Sequence, residues 1–157
     1  MGCTTSISKH PKTLVVLMHP NPDKSVRNKL IIDEISKLDN VTVRTIPSTK
    51  IDMEVEKKIL LEYQRIVFQC PVQWYNVPGV GKEYLDQVLR KYNLKGKQLI
   101  VVNTTGAPKS SYKNPEVITE LWNHIVHYCG MILEKTFTLF IDDDVAKISE
   151  LKEAIDK

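Results

Sequence analysis

The sequence predicts a single α/β domain, a three-layer sandwich built on a five-stranded parallel sheet. Three observations carry this expectation. Five apolar runs alternate with segments of helical period along the chain. Several runs are continuous in apolar character, as strands covered on both faces are. At 157 residues the chain suits one domain, with a core that needs neither metal nor disulfide staples. Right-handed crossovers then leave 2-1-3-4-5 as the common strand order, with a ligand site where strands 1 and 3 diverge.

The elements follow in order. Residues 1–12 are polar and read as a flexible tail, and residues 13–157 as the domain. Thr13–Met18 is the first strand, through Leu14, Val15, Val16 and Leu17. A helix follows, with Leu30, Ile31, Ile35 and Leu38 on one face. Val41–Ile46 is the second strand, a helix around Met53–Tyr63 comes next, and Arg65–Cys70 is the third strand. Tyr84, Leu85, Val88 and Leu89 give another helical face before the fourth strand, Gln98–Asn103. Glu116–Tyr128 is a helix with Ile118, Leu121, Trp122, Ile125 and Val126 inward, and Gly130 stops it. Met131–Ile141 contains the fifth strand, and Val145, Ile148, Leu151 and Ile155 mark a last helix.

Composition excludes several classes. The net charge of +3 is small, and no basic block points to nucleic acid. No apolar run is long enough to span a bilayer, and the first dozen residues do not form a secretory signal. Cys3, Cys70 and Cys129 are odd in number and lack metal-ligand spacing, so reduced thiols in a cytoplasmic compartment are expected. Cys70 and Cys129 read as packing residues. His124 and His127 lack a third ligand nearby, and Asp142–Asp144 suit a helix start, so no metal site is expected. A phosphoacceptor domain would need carboxylates after strand 1, where this chain has His19-Pro20.

Three loops meet at the carboxyl edge of such a sheet. The first, His19–Asn28, carries two prolines, with Ser25 near a helix start. That helix end suits a phosphate, with Ser25, Arg27, Asn28 or His19 adding donors, although Ser25 or Asp23 could simply cap the helix. There is no glycine-rich nucleotide fingerprint. The second loop, Pro71-Val72-Gln73-Trp74-Tyr75-Asn76, places two aromatics directly after a buried strand. They suit a flat ring, and backbone N–H groups past the strand end suit its polar edge; an aromatic cluster or a protein-binding patch is the plainer reading. The third loop, Asn103–Tyr112, has small residues and one glycine, Gly106, and offers the Tyr112 hydroxyl.

At these residues the chain resembles the flavodoxin-like NAD(P)H:quinone oxidoreductases. The matching pieces are His19-Pro20 with Ser25–Asn28, Pro71–Pro78 with Lys82 and Leu85–Leu89, Gly96-Lys97, Thr104–Gly106, Tyr112 and His127–Gly130. The resemblance implies a flavodoxin-like fold, a flavin and a homodimer. His19, Ser25, Arg27 and Asn28 would surround the flavin phosphate. Pro71, Val72, Gln73, Trp74, Tyr75 and Asn76 would hold the isoalloxazine, and Thr104, Thr105 and Gly106 would meet its N1 and O2 edge. Tyr112 would act there as the catalytic hydroxyl. The implied reaction is a ping-pong hydride transfer from NAD(P)H through the flavin to a quinone or similar acceptor.

Three departures qualify the resemblance. Only Arg90–Lys95 separates Leu89 from Gly96, where the family carries a longer aromatic insert over the substrate pocket. No histidine lies in Lys113–Leu121 to relay a proton with Tyr112. The chain stops soon after its last helix, which favours FMN over FAD. The shortened connection supports a second reading, a non-catalytic regulatory or scaffold protein. Met1-Gly2-Cys3-Thr4-Thr5-Ser6 also fits an acylation pattern, with Gly2 and Cys3 as the modified residues and a membrane surface as partner.

Overall fold

The computed structural model describes residues 10–46, 50–91 and 93–157. Gly2 and Cys3, and with them the acylation expectation, lie outside the described residues. The sheet comprises β1 (Thr13–Leu17), β2 (Val41–Thr45), β3 (Arg65–Pro71), β4 (Gln98–Thr104) and β5 (Ile132–Leu139). All strands are parallel, in the order 2-1-3-4-5 that the sequence predicts. The helices are α1 (Val26–Ile35), α2 (Met53–Leu61), α3 (Gly79–Gln87), α4 (Val117–Cys129) and α5 (Ala146–Ile155).

The period-2 alternation of a strand sorts each apolar run onto two faces. Leu14, Val16, Ile66, Phe68, Leu99 and Val101 pack with Leu60 of α2, Tyr84 of α3, and Trp122 and Val126 of α4. Val15, Val67, Ile100, Val102, Phe137 and Leu139 pack with Ile31 and Ile35 of α1, and with Ile148, Leu151 and Ile155 of α5. Hence β1, β3 and β4 are buried at nearly every position, whereas the edge strands β2 and β5 are only partly buried.

Two inward assignments change. Leu30 is 43% exposed. The buried face of α1 is Asn28, Ile31 and Ile35, and Leu30 sits about 100° round the helix from Ile31. Val145 is exposed because it precedes α5 rather than lying on its inner face. Gly130 ends α4 in the left-handed conformation, as the sequence implies.

Cys70 and Cys129 behave as packing residues. Cys70 is buried, and burial pushes its thiol up to about 12. Burial also raises Cys129. Because the thiolate is the nucleophile, native protein at neutral pH should leave Cys70 unlabelled by iodoacetamide, and denatured protein should label it fully, as read by mass spectrometry. Rapid labelling of Cys70 in the native state would mean that β3 opens locally.

Candidate functional site

The site begins at the amino end of α1. Ser25 is its N-cap, and its Oγ accepts from the N–H of Asn28 at 3.3 Å and from Asn28 Nδ2 at 3.2 Å. Val26 and Arg27 contribute first-turn N–H groups, which have no intrahelical partner and carry the positive end of the helix dipole. Arg27 donates Nη2 to the Ile141 carbonyl at 2.7 Å, tying this loop to the one after β5. Its other guanidinium donors make no bond among the described residues. His19 accepts at Nδ1 from the N–H of Asn21 at 3.0 Å, so Nε2 is its donor nitrogen. Burial holds its imidazole below the ordinary histidine value.

Asn28 is turned inward and is only 2% exposed. Besides Ser25, its Nδ2 donates to Thr104 Oγ1 at 2.8 Å, joining the first loop to the third. Gln69 of β3 donates Nε2 to both the carbonyl and Oδ1 of Asn28, at 3.2 and 3.1 Å. Asn28 therefore stands behind Ser25 rather than beside it. Gln69 was missed at the sequence level. Its signal was a lone amide inside the apolar run Ile66-Val67-Phe68-Gln69-Cys70.

The second loop is a tight hairpin. Gln73 and Asn76 exchange backbone bonds at 2.9 and 3.1 Å around Trp74 and Tyr75. Both central residues have positive φ, 51° and 62°, the geometry of a type I′ turn. This narrows which of the loop's N–H groups stay free for a ligand. Val72 donates to the Thr104 carbonyl, Gln73 and Asn76 to each other, and Val77 to Asn76 Oδ1. The N–H groups of Trp74 and Tyr75 remain without a partner among the described residues. Trp74 is 95% exposed, whereas Tyr75 meets Tyr112 edge-on at 5.6 Å between ring centroids.

The third loop closes the arrangement. Thr104 and Thr105 are buried, and the Thr105 N–H is spent on the Leu139 carbonyl. Gly106 is exposed, and a Cβ built there would meet nothing within 4 Å, so its surface is open to an incoming molecule. Tyr112 is half-buried between Tyr75 and Phe140. Val72, Trp74, Tyr75, Ala107, Ser111 and Tyr112 line a cleft of about 220 Å³. That is below the roughly 300–1,000 Å³ of a complete ligand pocket, so it suits one flat part of a larger molecule. Gln73 and Asn76 are not among its lining residues. Asn76 instead lines an apolar groove of about 370 Å³ between α3 and α4, with Val77, Leu85, Leu89, Leu121 and Ile125.

The fold and these loops can be set beside known proteins. The sequence pattern of a family described as having the flavodoxin-like fold matches residues 11–157. This chain belongs to that flavodoxin-like family. An uncharacterized NAD(P)H oxidoreductase of Bacillus subtilis is 36% identical over 114 residues, 65% of this chain and 66% of that protein. The glutathione-regulated potassium-efflux system ancillary protein of Yersinia enterocolitica is 35% identical over 119 residues, 68% of this chain and 65% of that protein. The chain thus spans just under two thirds of the length of these relatives. Among solved structures, general stress protein 14 of Treponema denticola in complex with FMN superposes with a TM-score of 0.75 at 27% identity, covering 92% of this chain and 94% of that one. An NADPH-quinone reductase from P. pentosaceus has a TM-score of 0.79 at 20% identity, covers 92% and 95% of the two chains, and speaks to the fold. The resemblance drawn from the motifs is thereby borne out.

Among the described residues, no group of three or more His, Cys, Asp or Glu could hold a metal ion. No described helix is long and apolar enough to cross a membrane.

Proposed function

We propose that this chain is a flavin-dependent NAD(P)H oxidoreductase with FMN as cofactor and a quinone or similar small molecule as acceptor. The observation that carries the reading is the junction at the β1/β3 edge. There a helix N-terminus with a hydroxyl cap stands beside a flat cleft bordered by aromatic rings. The donor set fits a phosphorylated flavin. Ser25, the first-turn N–H groups of α1, Arg27 and His19 Nε2 suit the phosphate. The N–H groups of Trp74 and Tyr75, on the loop Pro71–Asn76, suit the ring's polar edge. Gly106 and Ala107 offer further N–H donors beside Thr104 and Thr105, where negative charge would accumulate on a reduced ring.

When bound, FMN would supply the hydride chemistry between NAD(P)H and the acceptor, in the ping-pong order the resemblance implies. The chain's own residues bind and orient the ring. Tyr112 stands at the cleft wall as the hydroxyl that delivers or holds a proton. The reading places the enzyme in the cytoplasm, where its thiols stay reduced. Acylation at Gly2 and Cys3 would add peripheral attachment to a membrane.

The test is a titration of purified protein with FMN, followed by NADPH or NADH without oxygen and then a benzoquinone. The expected result is a yellow complex that bleaches with a nicotinamide and recovers with the quinone. A protein that takes up no FMN sinks the proposal. One observation favours the second reading, a flavin-binding regulatory protein without turnover. Between α3 and β4 the described residues make a short helical turn, Leu89–Lys91, and a turn in which the Lys97 N–H donates to the Leu94 carbonyl, and no aromatic stands among those described residues. An FMN complex that neither nicotinamide reduces would select it.

The homodimer belongs to the same proposal. The groove between α3 and α4 is the apolar surface suited to it, since contiguous exposed apolar area marks an interaction site. Sedimentation should give twice the mass of one chain, and Leu121→Glu should return it to a monomer. A wild-type protein that sediments as a monomer at micromolar concentration would remove the dimer from the reading.

A further inference from the structure

The amide chain behind Ser25 has a direction, and a backbone atom sets it. Gln69 is fully buried in β3 at 0% exposure, and one of its amide atoms faces both the backbone carbonyl and the side chain of Asn28. A backbone carbonyl only accepts, so the facing atom of Gln69 must be its nitrogen. Its second hydrogen then goes to Asn28 Oδ1, which fixes the orientation of the Asn28 amide. Asn28 Nδ2 consequently faces Ser25 Oγ and Thr104 Oγ1, and gives one hydrogen to each. Ser25 Oγ also accepts from the Asn28 N–H, so both of its lone pairs are taken. The only bond left to that hydroxyl is donation of its own proton.

We propose that Gln69 and Asn28 are positioning residues which hold the Ser25 hydroxyl as an obligate donor, committing the α1 N-terminus to a phosphate. The inference rests on the flavin reading of the site above. A hydroxyl normally accepts as readily as it donates. Here acceptance is used up, so a ligand group that must itself donate gains nothing from Ser25. A phosphate, which presents acceptor oxygens, gains a charge-assisted bond. Gln69 Oε1 supports this account, because it is buried with no partner. A structural glutamine in an apolar strand would be expected to satisfy both ends of its amide, since an orphan acceptor costs stability. This one satisfies only its nitrogen, the end that sets the orientation of Asn28.

The experiment measures FMN and riboflavin affinities by fluorescence quenching for wild type, Ser25→Ala, Gln69→Leu and the double variant. Riboflavin carries the ring without the phosphate and reports on the cleft. Gln69→Leu should weaken FMN about tenfold, the scale of one charge-assisted hydrogen bond, and change riboflavin less than twofold. In the Ser25→Ala background the same substitution should add less than a twofold further loss, because its effect passes through that hydroxyl. Equal losses for FMN and riboflavin would overturn the relay by showing general damage to the site. Full additivity with Ser25→Ala would also overturn it, by showing that Gln69 acts without Ser25. A wild-type protein that binds neither flavin would instead overturn the flavin reading itself, and the relay with it. Melting curves accompany each variant. If Gln69→Leu does not fold, Gln69→Met carries the same measurement in a more flexible shape.

Discussion

Replacing Trp122 with Ala is expected to destabilise the protein by about 3–5 kcal/mol, the largest loss of any single substitution considered for this chain. Trp122 is 1% exposed and lies in the middle of α4. Its ring stacks on Phe68 of β3 at 5.8 Å between centroids, with 28° between the planes. Truncation therefore leaves a large cavity against the central strand, where the surrounding strands cannot collapse. A second cost comes from its indole Nε1, which donates to Asn103 Oδ1 at 3.3 Å. Asn103 Nδ2 already has no partner, so loss of the indole leaves a buried amide held only by a distant contact from Cys70 Sγ. In a domain of this size each kcal/mol moves the midpoint by about 2–4 °C, so the melting temperature should fall by roughly 10 °C. Trp122→Phe keeps the stacking and loses the hydrogen bond, and should cost less than half as much. A fall of under 2 °C for Trp122→Ala would show that α4 does not pack as described.

Asn103 also connects this packing to function. It precedes Thr104, whose hydroxyl accepts from Asn28 and whose carbonyl accepts from Val72. Core damage at Trp122 should accordingly reach the carboxyl edge of β4, and lower FMN retention in whatever fraction stays folded.

The sheet was legible because its physics is local and repetitive. Runs such as Leu14–Leu17 and Ile66–Phe68 are apolar on both faces, and only a doubly covered parallel strand demands that. The site was legible in part. Ser25, Thr104 and Tyr112 could be placed because they follow strand ends that the apolar runs mark. What the sequence hid were orientations. Asn28 looked like one more donor to a phosphate, yet the buried face of α1 runs through it, toward Gln69. Nothing in the letters distinguishes the second loop's free N–H groups from its spent ones. The closure of Gln73 on Asn76 decides that, and no turn residue announces it, since type I′ turns favour Asn-Gly rather than two large aromatics. The resemblance puts Asn76 in the ring-holding set, and in the structure it is among the residues lining the α3/α4 groove.

That same hairpin gives the second large effect. Exchanging Trp74-Tyr75 for Asn-Gly should raise stability while lowering flavin affinity. Non-glycine residues in the left-handed region cost about 1–2 kcal/mol each, and here two occur in succession at φ 51° and 62°. Asn and Gly relieve most of that strain. Trp74 gives up almost no packing, being 95% exposed. Tyr75 gives up its edge contact with Tyr112, worth about 0.5–1.5 kcal/mol. The balance favours the variant by about 1 kcal/mol, or roughly 2–4 °C in melting temperature. Strain kept in a loop that packs against little is unaccounted for by folding alone, and it lies on the wall of the cleft proposed for the flavin. The aromatic pair should therefore matter to binding, with FMN affinity falling at least tenfold once both rings are gone, since ring stacking contributes of the order of 1–3 kcal/mol per face. The single changes divide the effect: Trp74→Asn tests a ring that is free to fold over a bound flavin, and Tyr75→Gly tests one already braced by Tyr112. A variant that is both more stable and equally tight for FMN would show that the strained turn serves neither folding nor the flavin. It would direct attention instead to a partner protein that meets the exposed Trp74.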